Sequence, residues 1–136
     1  LISKNISVDY IVSIPTTSPL RKLSDIQNCI NLAKKKKYDF IYTITKSSKN
    51  PYFNSIGKIK KKFSLLKWKN KNFFRRQDAP KFYDITTVCY VFKPKFVLKN
   101  LDMFSGKVGF VEIPKNRAID VDDKFDYKLV RLLTKK

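Results

Sequence analysis

The chain has no histidine, and only three glycines, two cysteines, one methionine and one tryptophan among its 136 residues. Without histidine, zinc sites lose a usual ligand and proton transfer near neutral pH loses its usual carrier. Cys29 and Cys89 are far apart and sit in apolar, periodic contexts, which excludes a disulfide framework and predicts buried, reduced thiols in a cytoplasmic protein. No apolar run approaches the length of a membrane span and no signal peptide is visible, so no membrane role is expected. Acidic residues are scarce as well: eleven against thirty cations, a formal net charge of +19. Arginine is limited to Arg21, Arg75, Arg76, Arg117 and Arg131, so lysine carries most of the charge.

That lysine excess is either a nucleic-acid footprint or drift toward A/T-rich codons, which asparagine and isoleucine share. The lysines fall mostly on predicted solvent faces, which favours drift. A nucleic-acid-binding domain stays the competing expectation. It predicts lysines and aromatics on one surface and binding that weakens steeply with salt. The chain is 43% hydrophobic and 14% aromatic, which rules out a disordered tail, and its length suits one domain with a core. It begins at Leu1 rather than methionine, so it is expected to be the later part of a longer protein.

The apolar pattern predicts strands at 9–15, 39–45, 84–92 and 107–114, and helices at 24–37, 94–100 and 123–133. Ser24 and Gln27 match a capping box for the first helix. Strand, helix and strand over residues 9–45 make a β-α-β unit, which implies a parallel pair and a right-handed crossover. Between Lys46 and Arg76 lysine, serine and asparagine dominate, and residues 56–69 alternate loosely around Gly57, as in an exposed hairpin or arm. Phe63, Trp68, Phe73 and Phe74 on that arm need a cover, for which a partner subunit is the simplest choice. The fold class expected is α/β: an open, mostly parallel sheet with an exposed β arm, in one domain spanning 1–136.

Three stretches carry groups that suit chemistry. "PTTSPLR" (15–21) leaves the carboxyl end of a strand, where ligands of open α/β sheets sit. Thr16, Thr17, Ser18 and Arg21 offer hydroxyls and a planar cation there, although a turn that only feeds the next helix uses the same residues. In "FRRQDAP" (74–80), Arg76 and Gln77 form a fork of N–H donors suited to a carboxylate or phosphate, with Asp78 placed to orient an arginine; a plain basic loop is the alternative. "RAIDVDDKFDY" (117–127) gathers four aspartates in a basic chain. In an extended segment Asp120 and Asp122 share a face while Ile119 and Val121 turn to the core. Two such carboxylates repel unless a cation lies between them, and magnesium, which takes oxygen ligands and is shared with substrate phosphates, suits the pair. Asp123 and Asp126 fall at the next helix's start, where negative charge is favourable.

In this order, "PTTSPLR", "RRQDAPKFY" and "AIDVDDKFD" resemble the motifs of the acylneuraminate (sugar-acid) cytidylyltransferases, over most of the chain. The resemblance implies a Rossmann-like fold of the nucleotide-diphosphosugar-transferase type and transfer of a cytidylyl group from CTP to the anomeric oxygen of a sialate-like sugar acid, with release of pyrophosphate. It implies that Asp120 and Asp122 hold Mg2+, that Arg76 and Gln77 hold the sugar carboxylate, and that Thr17, Ser18 and Arg21 shape the pocket floor beside Tyr90. It also implies that the arm at 51–74 serves a homodimer. The family's glycine- and lysine-bearing nucleotide loop does not occur in this sequence, so the chain is expected to be the C-terminal larger part of such a domain, or else an inactive fragment or paralogue. Thr86-Thr87 stand where the family usually has Asn-Gly, and Pro15-Thr16 where it has Gln-Pro. These departures fall around the sugar pocket, so legionaminate, pseudaminate and 3-deoxy-octulosonate-type acids are as compatible as sialate.

Overall fold

The computed structural model describes residues 7–59, 62–66, 72–99 and 102–135. In chain order the elements are β1 (Ile11–Ser13), α1 (Leu23–Lys36), β2 (Phe40–Lys46), β3 (Ile56–Ile59), β4 (Lys62–Leu65), β5 (Tyr83–Phe92), α2 (Pro94–Lys99), β6 (Val108–Glu112) and α3 (Lys124–Thr134). Short 3-10 turns occupy Arg76–Asp78 and Lys115–Arg117. The chain divides into two compact units, one built from the segments before Lys46 and after Asp84, the other from Lys46–Asp84.

The first unit holds a four-stranded sheet in the order β1-β5-β2-β6. β1 and β5 are antiparallel, with Ser13 opposite Tyr90, and β2 and β6 are parallel, with Thr43 opposite Val111. The sheet is mixed and mostly antiparallel, which corrects the expectation of a mostly parallel one. The cause lies in β5. The crossover through α1 was expected to return beside β1, but β5 enters between β1 and β2. Apolar periodicity marks which stretches are strands and is silent on their direction. The excursion through Lys46–Asp84 gives β5 its freedom to return without a crossover helix.

β2 is buried along most of its length because it lies inside the sheet, with α1 on one face and aromatic side chains on the other. Ile41, Cys89 and Val91 pack with Cys29 and Ala33 of α1. Phe40 and Tyr42 alternate to the other face, where Phe92, Phe104 and Phe110 stack on them. The cysteines are free and buried, and the hydrogen bond with Cys89 together with burial pushes the Cys29 thiol up. β2 is joined to β5 through Thr43, whose hydroxyl lies 3.0 Å from the Thr86 carbonyl and accepts from the Thr86 hydroxyl at 2.8 Å.

The cap of α1 differs from expectation. Lys22, not Ser24, is the N-cap, and Asp25 accepts its backbone N–H at 2.9 Å. A carboxylate one turn inside the helix does the work expected of Ser24 and Gln27, because Asp25 is held inward by a partner described below. At the far end Lys93 and Lys107 donate to the Lys37 and Lys36 carbonyls.

Asp39 ties this end together, accepting from the Lys93 ammonium at 2.8 Å and from the Lys107 backbone at 2.9 Å. The Lys93 hydrogen bond, followed by that of Lys107, holds the Asp39 carboxyl below its ordinary value. A carboxyl depressed in the folded state adds stability above its unfolded pKa of roughly 4, and that contribution fades as the pH falls through the folded value. Asp39→Asn is therefore expected to lower the urea midpoint at neutral pH and to leave it unchanged at strongly acid pH. An equal loss at both ends of a pH series contradicts the assignment.

In the second unit β3 and β4 pair antiparallel, with Gly57 opposite Ser64, and fall within the expected arm. Tyr52 is its buried anchor, edge-on to Phe73 at 4.8 Å and tilted against Phe82 at 6.0 Å. Phe63 and Phe74 are exposed. Trp68 lies outside the described residues.

Candidate functional site

The loop after β1 is shaped from within. The Arg21 guanidinium donates to the Ser18 carbonyl at 2.7 Å, to that of Val88 at 3.0 Å, and to that of Pro15. This folds the loop back over β5. Ser18 is fully buried and its hydroxyl lies 2.6 Å from that of Thr87. Arg21 and Ser18 thus act on the main chain and on Thr87, and Thr16 and Thr17 are the exposed hydroxyls of the turn. The two threonines that stand at 86 and 87 each have a use: Thr86 meets Thr43 inside the sheet, and Thr87 meets Ser18 in the loop.

The aspartate segment joins this loop directly, since Val121 N–H donates to the Thr17 carbonyl at 2.8 Å. The segment runs outside the sheet, and Ile119 and Val121 are half-buried, not part of the central core. Asp120 has a carboxylate oxygen, Oδ1, that is buried without a hydrogen-bond partner. Its charge reaches Tyr90, whose phenol is pushed up by burial first and by Asp120 second. Asp122 is exposed, and its N–H donates to Asp126. Asp123 is the N-cap of α3, accepting from Phe125 and Asp126 at 2.7 and 2.9 Å, while Asp126 Oδ2 accepts the Asp123 N–H in return. Thr17, Ser18, Arg21, Tyr90 and the Asp120–Asp122 segment therefore share one end of the sheet.

Asp120 is half-buried, but a carboxylate oxygen that is itself buried without a donor is costly, and a cation is a natural partner for it. Among the described residues no group of three or more histidine, cysteine or carboxylate ligands forms. A cation at Asp120 would need water or phosphate oxygens for most of its shell, as magnesium accepts, with Asp122, exposed two residues on, as the nearest carboxylate in the sequence that could join it.

Arg76 and Gln77 belong to the second unit. They sit on the exposed 3-10 turn Arg76–Asp78, and the Arg76 guanidinium lies over the Phe53 ring at 5.6 Å. Both line a pocket of about 330 Å3, whose cations are Lys46, Lys49, Arg76 and Lys81. Asn50 braces it by donating to the Pro80 carbonyl and accepting the Tyr52 N–H. The lining carries no carboxylate, so the pocket favours an anion.

Two residues at the first unit's site were not singled out from sequence, Asp25 and Arg117. Arg117 stands next to the aspartate motif, and Asp25 is the lone acid of a basic helix; both signals were legible.

Comparison with known proteins gives distant homology of one kind. No family model matches the chain. It is 33% identical over 131 residues to the post-translational flagellin modification protein B of Campylobacter coli, an alignment covering 93% of this chain and 53% of that protein. It is 34% identical over 93 residues to the CMP-N,N'-diacetyllegionaminic acid synthase of Campylobacter jejuni, covering 68% and 39% respectively. The chain is thus a distant homologue of CMP-sugar synthase and flagellin modification proteins, and it spans about half or less of the length of these relatives. Among the described residues no helix is long and apolar enough to cross a membrane.

Proposed function

We propose that the chain is the acceptor- and metal-binding part of a CTP-dependent sugar-acid cytidylyltransferase. The observation that carries this is the unpartnered Asp120 oxygen at the loop end of the sheet, tied to Thr17 through Val121. The homology to a CMP-legionaminate synthase supports it. In the reaction the anomeric hydroxyl oxygen of the acid bonds to the α-phosphorus of CTP. The bond from that phosphorus to the bridging oxygen breaks, pyrophosphate leaves and the hydroxyl proton is released.

Asp120 and Asp122 hold Mg2+, which when bound neutralises phosphate charge as it develops. Arg76 and Gln77 take the acceptor's carboxylate, the Arg76 plane giving a fork that matches it. Ser18 and Arg21 fix the loop that presents Thr17, and Tyr90 stays a neutral phenol able to donate. The arm at 51–74 pairs two copies, which covers Phe63 and Phe74.

The test is pyrophosphate release from CTP and Mg2+, using the chain together with its flanking coding sequence and a panel of sialate, N,N'-diacetyllegionaminate, pseudaminate and 3-deoxy-octulosonate. Release with one acid is expected, and its loss in Asp122→Asn. Silence with every acid refutes the reaction; undiminished release by the variant removes the metal assignment.

A further inference from the structure

We propose that Asp25 and Arg117 are positioning residues for the cation-holding segment. The proposal rests on the assignment of Asp120 and Asp122 to the cation. Asp25 is only 2% exposed. Its Oδ1 accepts from Arg117 Nη2 at 2.7 Å, and its Oδ2 from Arg117 Nε at 3.1 Å and from the Lys22 backbone at 2.9 Å. One carboxylate thus joins the first turn of α1, which follows the Thr17–Arg21 loop, to the 3-10 turn Lys115–Arg117, which precedes the aspartates.

Burial alone raises the Asp25 carboxyl, but the Arg117 and Lys22 hydrogen bonds outweigh it, and the group is held below its ordinary value and ionised. The planar fork matters: two parallel N–H donors fix direction as well as distance.

The segment from Ala118 to Val121 belongs to no strand. Its upstream end is set by Arg117 on Asp25, and its downstream end by Val121 on Thr17. Between those clamps lies Asp120, with its unpartnered oxygen. A buried ion pair is a poor source of net stability, because desolvation offsets attraction. It does select one arrangement, since the carboxylate cannot turn away without stranding a charge. Fixing the first clamp therefore fixes where the Asp120 carboxylate points.

The test separates positioning from folding. Two variants are used: Arg117→Lys, which keeps the charge and removes the fork, and the double variant Asp25→Asn with Arg117→Gln, which removes both charges and keeps amide partners. Amide exchange is followed by NMR at Val121 and, as a core control, at Val91. Mn2+ affinity is followed by the loss of the free-ion EPR signal. In both variants Val121 is expected to exchange about tenfold faster while Val91 holds within about twofold. Mn2+ affinity is expected to fall about tenfold, as when the partners of metal ligands are removed.

If Val121 keeps its protection in a folded variant, the proposal is overturned. The same holds if Val121 and Val91 accelerate together, which marks a purely structural pair, or if Mn2+ affinity stays constant while Val121 loosens. If the unaltered protein takes up no Mn2+, the cation assignment fails, and Val121 exchange alone then decides whether the pair positions the segment.

Discussion

Asp120→Asn is expected to lower pyrophosphate release about a thousandfold, as follows from losing roughly 4 kcal/mol of charge stabilisation, without lowering the thermal midpoint. The two halves of this expectation have one cause. Asp120 Oδ1 is buried and unpartnered in the folded chain. A buried group left unsatisfied costs about 1–3 kcal/mol. The neutral amide keeps the shape and removes the harder charge to desolvate, so the fold is spared or strengthened while the cation loses a ligand. The neighbouring Tyr90 phenol, pushed up by burial and then by the Asp120 charge, is expected to fall back toward its ordinary value in the same variant. Magnesium is expected to raise the midpoint of the unaltered protein and to leave that of the variant where it was. A variant that melts well below the parent, with or without magnesium, makes Asp120 a structural residue.

The features that made this site legible are local ones. The helix start at Asp123 was visible in the chain, and Asp123 does cap α3 with Asp126 in return. The alternation expected at 119–122 is not seen in the burial, since Ile119, Asp120 and Val121 are all half-buried. Each predicted strand and helix around the sheet was found, because apolar spacing reports burial and burial is what builds them. Strand direction was not legible. β5 has the same apolar run whether it lies parallel or antiparallel to β1, and only the length of the chain between β2 and β5 hints that it is free to reverse. The cap at Lys22 was missed for a related reason. Asp25 takes the role because Arg117, 92 residues away, holds it inward, and no local pattern encodes a contact at that separation. Ser18 shows the same limit: its hydroxyl looks free in "PTTSPLR", yet it is closed off by Thr87 from another strand.

The close contact between β2 and β6 makes the second large effect. Ile41 is fully buried at the centre of the sheet, and Ile41→Ala is expected to cost about 3–4 kcal/mol, the usual range for a buried isoleucine emptied to alanine. Opposite it in the β2–β6 register stands Gly109. A Cβ there meets Ile41 Cδ1 at 2.7 Å and the Tyr38 ring at 2.8 Å, closer than side chains tolerate. Gly109→Ala alone is therefore expected to cost about 1–3 kcal/mol through overpacking. The two defects have opposite sign in volume. Truncating Ile41 removes the atom that the new methyl would strike, and the methyl in turn fills part of the space left behind. Tyr38 is half-buried, so its ring has solvent on one side into which it can yield to the new methyl. The double variant is accordingly expected to be more stable than the sum of the single losses by about 1 kcal/mol or more. Urea unfolding of the four proteins in the cycle measures this. Strict additivity breaks the argument, because it means that the β2–β6 spacing relaxes around each change separately and that Gly109 is not what lets β6 approach Ile41.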